Sequence, residues 1–419
     1  AFLGLTIGCA RCHDHKLEPL STRDYYSLVA VFNPLQRPHS GITDLAVKVG
    51  ETDVYAWRET SANAPETHIL IRGSATRPGE RVEPAVPAIL VQQQPAFAPN
   101  GEKSTGRRLW LAKWIADESN PLTARVIVNR VWQQHFGEGI VSTASDFGLM
   151  GARPTHPELL DWLATEFIRT GWDVKAMQKT IVMSATYRQD SKMNPDIVQR
   201  DPDNRLLARG PRFRLSAEAL RDQAMSVSGL LSPRMYGPPV KPMQPSNGLS
   251  AAFGSGIDWQ TSSGEDKYRR GIYTTWRRSN PYPSMATFDA PNREVCTIKR
   301  GRTNTPLQAL VTLNDPVYIE AAQALARKIV VSGGATPADR ARYGFRTTLA
   351  RPPQDAELSR LVTLYEQSLA KFSQNASEAK RMATEPLGPE PAGSNVAELA
   401  AWTVVGNVLL NLDETLMKR

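Results

Sequence analysis

The apolar positions of this chain recur at helical spacing over most of its length, and the recurrences are punctuated by capping residues. "NPLTARVIVNRVWQQHFGEG" offers Asn120 as N-cap, Pro121 at the first helical position and Gly137 just past the end. "THPELLDWLATEFIRTGW" carries Leu159, Leu160, Leu163 and Phe167 on one face, stops at Gly171, and is expected to start with a capping box from Thr155 to Glu158. Asp173 caps "DVKAMQKTIVMSATY", and "SAEALRDQAMSVSG" ends at Gly229. Helices resume at Pro306, at Asp315-Pro316 and at Thr336-Pro337, each a cap followed by proline at the first helical position. The run "VAELAAWTVVGNVLLNL" at 396–412 contains Glu398 and two asparagines, is shorter than a spanning helix, and reads as a core helix, so no transmembrane segment is expected.

Elsewhere the pattern changes. The first 35 residues read as helical, with Ser21 or Thr22 as N-cap and Asp24 near the helix start. Residues 40–100 alternate, carry Gly and Pro, and predict short strands with turns. Pro84, Pro87, Pro95 and Pro99 stiffen a linker up to about Lys103. Residues 232–266 form a long Pro/Gly/Ser-rich loop, and "RRGIYTTWRR" at 269–278 is a strand candidate. There is no solenoid-type repeat. The expected fold is mainly α, with a small β-containing insert. The expected organisation is the C-terminal end of a first helical domain (1–38), short strands and a Pro-rich linker (39–106), and a mostly helical second domain (107–419).

The chain has 419 residues, 41% of them hydrophobic, enough for a large core. Its first residue is Ala1, and "AFLGLTIG" has no basic region before it; we read it as the buried lead-in to a motif, in a piece of a longer chain. The net charge is +8, with basic clusters at Arg205–Arg214, Arg269–Arg270, Arg277–Arg278 and Lys299–Arg302. Solvated faces and internal arginine hydrogen bonding account for such clusters. The sharper reading is attraction to an anionic polysaccharide or an acidic redox partner protein. Nucleic acid is not expected, because no helix carries a continuous basic stripe.

Chemistry concentrates in "GCARCHDHK" at 8–16, which places Cys9, Cys12, His13 and His15 together in a chain with only 3 cysteines and 6 histidines. Composition alone would produce Cys-x-x-Cys-His with a chance of roughly 3 in 10,000. The spacing is that of c-type haem attachment: two thiols on one side of a helical turn form thioethers to one porphyrin, and His13 falls beneath the iron as proximal ligand. A compact metal knot of the same four residues is a rival, although structural zinc sites usually split into two distant pairs. An unmodified redox-active pair is the third reading. His15 sits too near His13 to reach the opposite face, so a distal ligand would come from His39, His68, His135, His156 or a methionine such as Met150; an open sixth position with peroxidase-like or ligand-sensing chemistry is the alternative. Cys296 is expected to be a small buried hydrophobe. A second constellation, "FDAPNREVCTIKRGRTNTPLQALVTLND", gathers Asp289, Arg293, Arg300, Arg302, Asn304, Gln308 and Asn314. It is either a buried network tying a loop to a helix or a pocket for a sugar or another polar ligand.

"FLGLTIGCARCHDHKLEPLSTRDYYSL" resembles the end of the first uncharacterised domain of planctomycete-type cytochrome c surface proteins. "ETHILIRGSATRPGERVEPAVPAIL", "NPLTARVIVNRVWQQHFGEGIVSTASDFG", "DPDNRLLARGPRFRLSAEALRD" and "TFDAPNREVCTIKRGRTNTPLQALVTLNDP" resemble the second. Leu17 and Glu18 stand where the common family form has Phe and Asp. The resemblance implies a separate upstream cytochrome c domain, export, and a periplasmic or cell-surface location. The expected function is an exported protein with haem c that transfers electrons. The alternatives are an extracellular scaffold gripping polysaccharide or a partner through the Arg-rich cluster, and a haem- or metal-dependent enzyme on such substrates.

Overall fold

The computed structural model describes residues 2–36, 46–55, 57–245, 259–278 and 281–418. It is mainly helical, with three two-stranded antiparallel sheets among the described residues. Backbone contacts divide it into two compact units, Ala1–Pro211 and Arg212–Arg419. No helix among the described residues is long and apolar enough to cross a membrane.

In the first unit a 3-10 turn, Gly8–Arg11, precedes α1 (Thr22–Phe32). The expected helix around the motif is thus a single turn, and α1 starts only where Ser21 and Asp24 form a capping box. Two hairpins follow: β1 (Ala46–Val49) with β2 (Thr52–Tyr55), and β3 (Thr67–Leu70) with β4 (Pro78–Val82). The helices α2 (Arg107–Ile115), α3 (Thr123–Phe136), α4 (Pro157–Arg169), α5 (Val174–Met183) and α6 (Pro195–Arg200) complete the unit. The Asn120 side chain caps as expected, accepting from the amides of Leu122 and Thr123, but the helix proper begins at Thr123. The capping box from Thr155 does not form. Pro157 holds the first helical position, so His156 becomes the cap residue, and Thr155 turns its amide to the Ile140 carbonyl at 3.0 Å.

The core of this unit lies between α3, α4 and α5, where Val128, Trp132 and Phe136 meet Leu160, Leu163, Phe167, Met177 and Ile181. Trp132 and Phe136 stack at 4.1 Å. Asn129, fully buried, exchanges two hydrogen bonds with the backbone of Val141 (3.0 and 2.8 Å) and so ties the loop after α3 to the helix.

The second unit holds β5 (Phe213–Arg214), α7 (Ala217–Ser228), α8 (Pro283–Thr287), α9 (Pro306–Asn314), α10 (Pro316–Ser332), α11 (Pro337–Leu349), α12 (Asp355–Ser373), α13 (Ala376–Thr384), α14 (Val396–Leu410), α15 (Asp413–Leu416) and β6 (Met417–Lys418), which pairs with β5. Helix α14 is apolar all round and is buried accordingly. It packs on α10 through small residues. A Cβ on Gly406 would lie 3.0 Å from the Ala322 carbonyl oxygen, so the two backbones approach as closely as glycine permits. Trp402, fully buried, stacks on Tyr365 of α12 at 4.4 Å.

The strand expected over 269–278 is instead a 3-10 turn at Gly271–Tyr273 with isolated bridges at Arg269 and Thr274. The reason is the buried Arg269 guanidinium, which donates to the carbonyls of Pro238 and Tyr236, while its amide reaches Asp266. Residues 246–258 of the long loop lie outside the described residues.

Replacing Trp402 by Ala removes the largest fully buried side chain among the described residues, and we expect a loss of about 3–5 kcal/mol from the second unit, read by urea unfolding; Trp402→Phe should lose less. Asp315 caps α10 by accepting from the Val317 amide at 3.0 Å, and burial pushes its carboxyl up from 3.8 to about 6. An acid whose folded pKa is raised supports the fold fully only below its unfolded pKa, and that support is lost as pH rises through the folded value. Asp315→Asn keeps the cap without the charge. Relative to the native chain it should therefore gain stability progressively between about pH 4 and about pH 6 and keep that gain at higher pH. Parallel pH dependences for the two chains would contradict this.

Candidate functional site

The motif begins in the 3-10 turn Gly8–Arg11, with Cys12 as its C-cap and His13 just beyond. The Cys12 amide donates to the Cys9 carbonyl at 3.3 Å, closing the turn, and the Ala10 amide donates to Ile7 at 3.0 Å. Side chains at i and i+3 eclipse in such a turn, so the two thiols share a face, and both cysteines are exposed. Ala10 between them is fully buried and anchors the turn from below. His13 follows, exposed, with Nδ1 2.7 Å from the Asp14 carbonyl. A proton on Nδ1 satisfies that carbonyl and leaves Nε2 with its lone pair outward, which is how a metal-binding imidazole is usually oriented.

Groups distant in sequence hold this turn. Tyr26 of α1 donates its hydroxyl to the Arg11 carbonyl at 3.0 Å, and burial pushes its phenol pKa up. The Asp14 carboxylate accepts from the Thr22 amide at 2.7 Å, which lowers its pKa and joins the motif to the start of α1. Glu18 reaches furthest: its two oxygens accept from the amides of Leu149 and Met150, each at 3.0 Å. The hairpin between β3 and β4 closes against Cys12, where a Cβ on Gly73 (φ +71°) would come within 2.8 Å of Sγ. Position 73 therefore needs glycine for its backbone and for the thiol beside it. Next to the turn, Ile7, Tyr25, Leu28, Val29, Phe32 and Leu35 line an apolar groove of about 420 Å³.

His15 does not join a four-ligand knot. Its Nδ1 accepts from the Glu18 amide at 2.9 Å and stabilises the bend after the motif. Among the described residues no three His, Cys, Asp or Glu side chains come together to hold a metal ion. Of the distal candidates, His39 lies outside the described residues. His68 bonds the Gly79 carbonyl through Nδ1 at 3.0 Å, His135 meets Tyr187 edge-on at 5.7 Å, and His156 contacts the Thr155 hydroxyl at 3.0 Å. Met150 is exposed, and its amide is one of the two that Glu18 holds.

The second constellation is only partly assembled. Asp289 accepts from Arg214 and from the Thr303 amide and hydroxyl (2.7 and 3.0 Å). Gln308, buried, donates to the Thr303 hydroxyl and the Thr287 carbonyl and completes a capping box with Thr305. The remaining side chains diverge: Arg300 pairs with Glu218 at 2.7 Å, Arg293 lies over Trp276 and Arg302 over Phe213. Asn304 is exposed, and Asn314 bonds the Leu310 carbonyl of its own helix. Cys296 is exposed rather than buried, because "EVCTIK" is a surface loop with no apolar face to cover it.

These features define a helical protein that presents a clamped, solvent-facing Cys-x-x-Cys-His turn. A family model described as a protein of unknown function, PSD1 (DUF1553), matches residues 107–365, and a second of the same description, PSCyt2 (DUF1549), matches residues 1–37. The chain belongs to this planctomycete cytochrome c-type family of unknown function. No curated protein and no solved structure matches it significantly.

Sequence reasoning missed Tyr26, Gly73 and the clamping role of Glu18, because their partners lie 15, 61 and over 130 positions away in the chain. Glu18→Ala removes a charged acceptor from two amides and should cost about 1.5–3 kcal/mol locally. Hydrogen exchange at Leu149 and Met150 should accelerate accordingly, while amides in the α14 core stay unchanged.

Proposed function

We propose that the chain is a c-type haem carrier that passes electrons, with Cys9 and Cys12 as covalent anchors and His13 as proximal ligand. One observation supports this above the others: both cysteines are exposed and their backbones are joined across a single turn, and the adjacent imidazole has its Nδ1 engaged by a carbonyl. The donor set fits the group, since two thiolates at this spacing match the two vinyl positions of a porphyrin and Nε2 is the ligand atom left outward. Haem would supply the one-electron couple through its iron. The residues of the chain do the rest. Tyr26, Asp14 and Glu18 keep the turn from collapsing before and after attachment, and the apolar groove beside Ile7 offers cover that excludes water from a ring edge. Met150, whose amide Glu18 holds, is the distal candidate brought to the motif segment. Export and a redox partner protein follow from this reading, since haem attachment of this kind belongs to oxidising compartments.

The two rival uses of the motif have less support. A zinc knot lacks its fourth ligand, because His15 is committed to the bend. The Arg-rich cluster spends Arg300 on Glu218 and Arg214 on Asp289, which favours a structural role over a polysaccharide grip.

The test is expression with an export signal in a strain carrying haem maturation. The denatured chain should keep covalent haem by peroxidase staining and show a Soret band, and Cys9→Ala with Cys12→Ala should abolish both. His13→Ala should retain the stain but alter the reduced spectrum, and Met150→Ala should alter it while leaving attachment intact. An intact mass equal to the bare polypeptide would overturn the proposal.

A further inference from the structure

The first unit contains a second cleft, of about 650 Å³, between the segment after the 3-10 turn Ala88–Leu90 and helix α2 with the bend that follows it. Such a volume is within the range of small-ligand sites. Its floor is rigid: Trp114 is buried in a core cluster with Val31, Val86 and Leu111, and Leu90 and Val91 pack against the same cluster. Its wall carries Trp110, half-buried, whose indole N–H donates to the Ala98 carbonyl at 3.0 Å. That bond fixes the ring and consumes its only donor, so what Trp110 offers a ligand is a flat apolar face.

The rim is polar. Gln92 and Gln93 are exposed and carry both donors and acceptors, whereas neighbouring Gln94 is spent on both backbone groups of Val86 (2.9 Å each). Asp117 accepts from the Ser119 hydroxyl at 2.5 Å and from the Ser119 amide at 2.9 Å, and these two bonds, the hydroxyl's first, keep its carboxyl pKa low. Lys113, one helical turn on from Trp110, places its ammonium 4.2 Å from the ring centroid. An exposed cation–π contact is weak enough for a ligand face to displace it. The one positive and one negative group on the rim balance, so the cleft selects for neither an anion nor a cation.

A fixed indole ring, covered only by the displaceable Lys113 contact, beside two side-chain amides and a carboxylate matches a pyranose, which presents an apolar C–H face and a ring of hydroxyls that both donate and accept. We propose that this cleft binds a neutral saccharide. The inference stands apart from the haem reading and uses none of its residues. A proline-rich peptide is the less favoured occupant, since grooves that read polyproline use several exposed aromatic rings, and here Trp114 is buried.

The experiment titrates the full chain with cellohexaose, maltohexaose and mannohexaose, following tryptophan fluorescence and calorimetry. Oligogalacturonate and a proline decapeptide serve as comparison probes. At least one neutral hexasaccharide should bind saturably. Trp110→Ala should weaken it by about tenfold or more and Asp117→Asn by a smaller factor. Trp110→Phe should recover part of the loss, and Cys9→Ala with Cys12→Ala should leave the affinity unchanged. Unchanged far-ultraviolet circular dichroism and melting temperature will show that the variants fold. The proposal is overturned if none of the three sugars binds at millimolar concentration, if binding is indifferent to Trp110→Ala, or if the peptide or the oligogalacturonate is the probe that depends on Trp110.

Discussion

A carboxylate gripping two backbone amides is the constraint on which the candidate site depends. The Cys-x-x-Cys-His turn is short, exposed and followed by a bend, and nothing within it is sufficient to order it. Fixing each such residue costs about 1–2 kcal/mol of backbone entropy. Glu18 supplies the compensating contact by joining the end of the motif to Leu149 and Met150, and its oxygens lie where a Cβ on Gly148 would come within 2.6 Å. Tyr26 and Asp14 then attach the same turn to α1. The result is a site whose reactive atoms face solvent while its backbone is held from three directions.

The same economy appears in how the chain uses its excess positive charge. Several of its arginines are turned to the backbone or to carboxylates. Arg221 donates to the carbonyls of Arg269 and Lys267, Arg269 to those of Pro238 and Tyr236, and Arg327 to that of Gly388. Buried guanidiniums satisfy loop carbonyls that no helix or sheet reaches, which is why long irregular segments can pack here without a strand ladder. Others are paired: Arg270 with Asp222, and Arg351 with both Glu357 and Glu414. These arginines therefore serve the packing of the chain.

Local signals were legible wherever the physics is local. Proline after a cap residue marked the starts of α9, α10 and α11 correctly, because proline's missing N–H and fixed φ suit only the first helical turn. The all-round apolarity of 396–412 announced a buried helix, and Trp402 is indeed fully buried. The Thr155 capping box does not form because Pro157 takes the first helical position and makes His156 the cap, while the Thr155 amide turns to the Ile140 carbonyl; the 269–278 strand gives way to a tertiary demand, the loop carbonyls around Arg269. Cys296 was misjudged because its loop has no periodicity from which burial can be read.

What the amino-acid sequence determined by itself is the mainly helical character, most helix boundaries, and the presence of two thiols and an imidazole at haem-attachment spacing. Spacing along one turn is a local property, and so is the choice to be helical. Only the tertiary structure decided that those thiols face solvent, that His15 serves the backbone instead of joining them, that Glu18 and Gly73 frame the turn, and that Trp110 stands over a polar-rimmed cleft. Each of those depends on which distant segment arrives alongside, and that is set by the packing of whole helices, a sum over many residues that no single window of the chain contains.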